Sequence, residues 1–191
     1  MDESRFPCVI FLRDPQDSDQ GGIMEDLAQV LAESHPNIKF LHPPVPAGST
    51  AFSGFNLMVT KLLPLFQPSS LVIGNGLGGL FAITMQERFP YLDLSVFAIN
   101  PPSKRDELKV GAWRPKRVIL YSSEYEPIRA DSPKIWAEYV DSAFDVPWLS
   151  GGVQRALYAT SYLISAFMRG SNMRREVASF MPKAQSEAAG I

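Results

Sequence analysis

Short apolar runs alternate with longer amphipathic segments along most of the chain. A run of about four to eight apolar, β-branched residues indicates a buried strand, whereas apolar residues at helical spacing indicate a helix. The helical spacing is clear at Ile23, Leu27, Val30 and Leu31. We predict strands over 7–12, 38–41, 71–73, 94–99 and 117–121, with a short sixth strand over 144–149. We predict helices over 23–33, 52–66, 77–88 and 132–143, and a last helix that follows Gly152 and ends at Gly170.

Strands that alternate with helices imply parallel βαβ units, with helices on both faces of one sheet. We therefore expect a doubly wound α/β fold with a mainly parallel sheet of about six strands. The length of 191 residues suits about one domain. We assign 1–170 to this domain and 171–191 to a C-terminal tail that is partly helical or flexible. One face of the tail is apolar, which favours packing on its own domain or fraying over docking to a partner.

The turn after the third strand carries the most informative motif of the chain. The apolar run 71–73 ends in the glycine-rich segment Gly74-Asn75-Gly76-Leu77-Gly78-Gly79, and an apolar helix follows at once. An α/β-hydrolase presents its nucleophile in this way, in the pattern Gly-x-Ser-x-Gly. The central position here is Gly76, which has no hydroxyl group with which to attack a carbonyl.

Other short motifs resemble those of small α/β-hydrolases without a cap domain, from about residue 8 to residue 168. In that family the strand after the nucleophile often ends in Asn-Pro, and this chain has Asn100-Pro101. The acid lies in a turn like Asp-Pro-Ile after the next strand, where Glu126-Pro127-Ile128 stands. The histidine precedes the last helix in a Gly-Gly-His-Gln context, and Val153 takes its position. The loop after the first strand, commonly His-Gly, is Arg13-Asp14.

The resemblance implies that the chain keeps the α/β-hydrolase fold but has lost the groups that catalyse hydrolysis. Gly76 cannot attack, Val153 cannot carry a proton, and Arg13-Asp14 lacks the glycine that would help to shape the oxyanion hole. Glu126 alone keeps an acid, with no histidine to orient. We therefore expect a hydrolase-like pseudoenzyme that binds a small acyl-like or apolar ligand, or a protein partner. Its binding residues would be Arg13, Asp14, Asn75, Gly76, Leu77 and Glu126.

The same residues leave other functions open. A lyase, cyclase or isomerase could use Asn75 as a hydrogen-bond donor and Arg13, Asp14 or Glu126 for charge and proton transfer. The glycines also match the dinucleotide pattern Gly74-x-Gly76-x-x-Gly79. That motif normally follows the first strand, and residues 94–100 lack the acidic residue that would hold a ribose. The glycines also have a purely structural interpretation, in which they let a helix pack close to a strand.

Composition and charge narrow the range of partners. The chain is 46% hydrophobic and 20% charged, as in ordinary globular proteins, and its net charge of −2 argues against nucleic acid. The single cysteine, Cys8, excludes a disulfide framework and a cysteine-rich zinc site. Neither His35 nor His42 belongs to a group with metal-ligand spacing, so we expect no metal and no cofactor. With no signal-like start and no apolar stretch long enough for a bilayer, we expect a cytoplasmic protein without membrane contact, and a homodimer stays open.

Overall fold

Residues 5–14, 23–43, 55–102, 116–122 and 142–181 are described by the computed structural model of the chain. Its strands within these ranges are β1 (Cys8–Leu12), β2 (Lys39–Leu41), β3 (Leu71–Asn75), β4 (Ser95–Ile99), β5 (Arg117–Tyr121) and β6 (Ala143–Asp145). Its α-helices within these ranges are α1 (Ile23–Ser34), α2 (Phe55–Leu62), α3 (Gly76–Arg88), α4 (Val153–Met168) and α5 (Met173–Ala178).

The six strands form one parallel sheet in the order β2-β1-β3-β4-β5-β6. The chain leaves β1 for β2 on one side and returns to β3 on the other, so the strand order reverses between β1 and β3. The carboxyl edge at such a reversal is where ligands bind in open α/β sheets. The glycine-rich turn, at the end of β3, lies at this edge.

Helices cover both faces of the sheet. Phe11, Ile73 and Phe97 point to the face that packs against α1 and α4, whereas Ile10 and Val72 point to the face covered by α2 and α3. Neighbouring strand residues face opposite sides, so each strand of a doubly covered sheet is apolar throughout. The predicted doubly wound α/β fold is confirmed.

The element bounds differ from the predicted ones near prolines and glycines. The sixth strand spans only Ala143–Asp145, and Pro147–Leu149 forms a 3-10 turn because proline cannot donate to a strand ladder. The helix predicted over 52–66 ends at Leu62, and Pro64 lies in the 3-10 turn Leu63–Leu65 that follows. Most of the predicted helix 132–143 lies outside the described residues, and its last residue, Ala143, belongs to β6.

The described part of the predicted tail packs on the body of the protein. Helix α5 lies against α4, and its Val177 is buried. Met173, Phe180 and Met181 pack against the same core cluster as α4. Residues 182–191 lie outside the described ranges, and the domain boundary at residue 170 stays a prediction.

Candidate functional site

The turn between β3 and α3 has no intervening loop. Asn75 is the last residue of the strand and Gly76 the first of the helix, with a φ of +49°. This left-handed backbone favours glycine because it brings the Cβ of other residues too close to the backbone. The chain therefore passes from strand to helix between two consecutive residues.

Packing accounts for the other glycines of the turn. A Cβ at Gly78 would lie 2.2 Å from the carbonyl oxygen of Leu12, and a Cβ at Gly74 would lie 2.5 Å from the Gly78 backbone. A Cβ at Gly79 would lie 2.9 Å from the Gly74 carbonyl oxygen. The start of α3 therefore touches β1 and β3 backbone to backbone, and this contact alone is sufficient reason for the three glycines.

The space above Gly76 is filled by the carboxylate of Asp14. Asp14 Oδ2 accepts a hydrogen bond of 2.9 Å from the Leu77 N–H, and a Cβ on Gly76 would lie only 1.9 Å from this oxygen. The Asp14 N–H in turn donates to Asn75 Oδ1 at 2.9 Å. Asn75, although it is the N-cap residue, makes no side-chain cap bond, so α3 is capped by Asp14 from the segment that follows β1.

The contact is electrostatically favourable and changes what the turn can bind. A negative charge at a helix N-terminus interacts well with the unpaired N–H groups there. In an α/β-hydrolase, the N–H of the residue after the nucleophile serves the oxyanion hole. The predicted resemblance gives that position to Leu77, whose N–H is engaged by Asp14.

Two further groups of the predicted pocket edge lie beside β1. Arg13 pairs with Glu25 at the start of α1, and both side chains are partly exposed. The His42 ring lies flat on the Phe11 ring, with 4.9 Å between the ring centres. The burial of this ring face lowers the pKa of His42, and the charges of Glu25 and Arg13 act on it in opposite directions. Arg13 and Asp14 thus follow the carboxyl end of β1, and His42 follows that of β2.

Of the two other predicted triad positions, the structure describes only Val153. Val153 is the first residue of α4 and is 61% exposed. Glu126 lies outside the described ranges. The roles assigned to Val153, Glu126 and the six binding residues stay predictions.

A second asparagine has a structural role that sequence reasoning missed. Asn100, with a φ of +44°, follows β4, and its Oδ1 accepts a 3.1 Å hydrogen bond from the Ser122 N–H at the end of β5. Asn75 and Asn100 thus each join two loops at the carboxyl edge. Ser122 is fully buried, and its Oγ has no hydrogen-bond partner within the described part of the chain. Asn100 directly follows the predicted strand 94–99, and Asn75 comes two residues after the predicted strand 71–73; these places are the one signal that could have suggested this role.

Neither a search of the structure for metal and membrane features nor comparison with known proteins adds a functional assignment. Across the described ranges, no three histidine, cysteine, aspartate or glutamate side chains are grouped so that they could hold a metal ion. In the same ranges, no helix is long and apolar enough to cross a membrane. No protein-family model matches the chain, and no curated protein matches it either.

Proposed function

We propose that this protein is a non-hydrolytic relative of the α/β-hydrolases that acts by binding a small acyl-like or apolar ligand, or a protein partner. The Asp14 carboxylate above Gly76 is the observation that carries the proposal. The nucleophile position has no side chain, and the volume that a side chain would need holds a charged group from the same chain.

The Asp14 contact also opposes the electrostatics of acyl transfer. The transition state of that reaction develops negative charge on an oxygen, which preorganised N–H donors stabilise. Loss of one such donor costs roughly 10²- to 10³-fold in rate. Here the Leu77 N–H is engaged, and a second negative charge lies beside it. An ester carbonyl would gain little stabilisation at this turn.

The contact of Asp14 with the Leu77 N–H also opposes the binding of a dinucleotide at the turn. A pyrophosphate at the N-terminus of α3 would approach the Asp14 carboxylate and lose the Leu77 N–H as a donor. The close backbone contacts of Gly74, Gly78 and Gly79 explain the glycines without a phosphate.

A second candidate function, a serine-independent enzyme, rests on the same carboxylate. Asp14 lies where a nucleophile side chain would lie, and His42 lies at the end of the neighbouring strand β2. A carboxylate or an imidazole in such a position can accept a proton from a bound substrate. This function requires that Asp14 leave the Leu77 N–H or react from its present place.

Two measurements test the proposal and separate it from the second candidate. The native protein is incubated with a fluorophosphonate probe and with short nitrophenyl esters, and we expect neither covalent labelling nor turnover above that of heat-denatured protein. Labelling, or turnover that survives repurification, would refute it.

The native protein and Asp14→Asn are then incubated with a small-molecule extract, and substrate loss is followed by mass spectrometry. Asp93→Asn, the same change at an exposed site at the amino edge, is the control. Substrate loss that Asp14→Asn abolishes and Asp93→Asn leaves unchanged would favour the second candidate function, the serine-independent enzyme.

A further inference from the structure

The segment after α4 places a phenylalanine against three aromatic rings. Residues 172–181 are called the C-terminal arm here, and Trp148, Tyr158 and Tyr162 are called the aromatic site. The Phe180 ring centre lies 5.6 Å from that of Trp148, 6.3 Å from Tyr158 and 5.2 Å from Tyr162. Edge-to-face and tilted pairs at these distances contribute beyond their buried area.

One polar contact fixes the register of the arm. The Tyr162 hydroxyl donates a 2.8 Å hydrogen bond to Glu176 Oε2. Glu176 and Phe180 are four residues apart along the arm, and the buried Val177 lies between them in sequence. The arm therefore binds α4 through an acidic residue followed four positions later by an aromatic one.

The arm folds back because of one turn. Helix α4 ends with the Ser171 N–H donating to the Ala166 carbonyl and the Gly170 N–H donating to the Phe167 carbonyl, both at 3.0 Å. This is a Schellman motif, and Gly170 has the left-handed φ of +80° that it needs. Asn172 then caps α5 by accepting from the Arg175 N–H at 3.3 Å.

A small backbone change would carry the arm away from its own aromatic site. If residues 169–172 became helical, α5 would continue the axis of α4. Phe180, twelve residues after Met168, would then lie about 18 Å beyond the present end of the helix. It could no longer reach Tyr162 of its own chain, but it could enter the same site on another molecule.

We propose that the C-terminal arm exchanges between two copies of this chain, so that each aromatic site holds Phe180 of the other copy. We identify the occupant as the arm of a second copy because, in the structure, the same arm of the chain itself fills the aromatic site. Exchange can keep the contacts of Phe180 and Glu176 with the aromatic site and changes residues 169–172, including the Asn172 cap, which makes it a low-cost route to a dimer. Short hinges favour such exchange, and Tyr158, 69% exposed, leaves the site open to solvent. The inference is independent of the proposed function.

The first test measures binding of the arm in trans. A fluorescent peptide of residues 172–181 is titrated into full-length Phe180→Ala, whose fold is checked by circular dichroism. We expect the peptide to bind Phe180→Ala saturably and to bind the native chain at least about tenfold more weakly. In the native chain the tethered arm competes with the peptide at a high effective concentration. A peptide carrying Phe180→Ala should not bind. Equal binding of both peptides, or no binding to a folded variant, would overturn the proposal.

The second test follows oligomeric state and does not disturb the aromatic site. Sedimentation equilibrium is measured over a wide concentration range for the native chain and for Gly170→Ala. Alanine disfavours the left-handed turn and favours a continuous helix, so the dimer association constant should rise roughly tenfold or more. Gly151→Ala, an exposed glycine outside the arm, is the matched control. Gly170→Ala that stays monomeric would contradict arm exchange, and so would a dimer of Gly170→Ala that persists when Phe180→Ala is added to it.

Discussion

Replacement of Gly76 by alanine tests the contact on which the proposed function depends. The new Cβ would meet two separate obstacles. The φ of +49° is unfavourable for alanine, and the Asp14 oxygen lies 1.9 Å from the position that this Cβ would take. Asp14 must therefore move and release the Leu77 N–H.

The two costs can be given approximate magnitudes. A left-handed backbone costs a non-glycine residue about 1–2 kcal/mol. Loss of a side-chain cap costs about 1 kcal/mol, within a range of about 0.5–2 kcal/mol. We expect Gly76→Ala to lower the free energy of unfolding by about 2–4 kcal/mol. With Asp14→Gly already present the clash and the cap are gone, so the same substitution should cost only about 1–2 kcal/mol.

Urea unfolding followed by circular dichroism gives the free energy of each of the four proteins of this cycle. The difference between the two Gly76→Ala costs is the coupling, for which we expect about 1–2 kcal/mol. Gly151→Ala is the control, because its Cβ would meet nothing closer than 3.4 Å, and its cost should stay within about 0.5 kcal/mol. Gly76→Ala costs that agree in both backgrounds would show that Asp14 does not occupy the space next to Gly76.

Three further predictions concern other parts of the structure. Gly78→Ala should cost more than about 3 kcal/mol or prevent folding, measured by urea unfolding, because its Cβ would lie 2.2 Å from the Leu12 carbonyl oxygen. The Cys8 thiol, fully buried and with a pKa raised by that burial, should react with a thiol reagent only as fast as the protein unfolds; rapid labelling of folded protein would contradict this. The NMR titration of His42 should have its midpoint below the ordinary 6.5. Because the unfolded chain binds a proton at His42 more readily than the folded chain does, His42 should destabilise the fold as the pH drops from 6.5 through its folded pKa. His42→Gln should remove this part of the dependence of the unfolding free energy on pH.

The sequence determined the architecture because the signals for it are local. Strands buried on both faces read as continuous apolar runs, and their alternation with helices implies a parallel sheet. The sharp turn at residues 74–79 was also predictable, since glycines report where backbones come close or turn left-handed. Where the element bounds were wrong, as at Pro147, the ladder hydrogen bonds decided them.

Only the tertiary structure decided what fills the site. Asp14 and Leu77 are 63 residues apart, and no periodicity along the chain predicts that the carboxylate of one caps the helix of the other. The same holds for Phe180, whose ring partners lie on α4 and on the turn before it. Such contacts depend on which strands become neighbours and where loops end in space. Hydrophobic patterning specifies which face of each element is buried, but it does not specify which polar side chain reaches a particular N–H across the sheet.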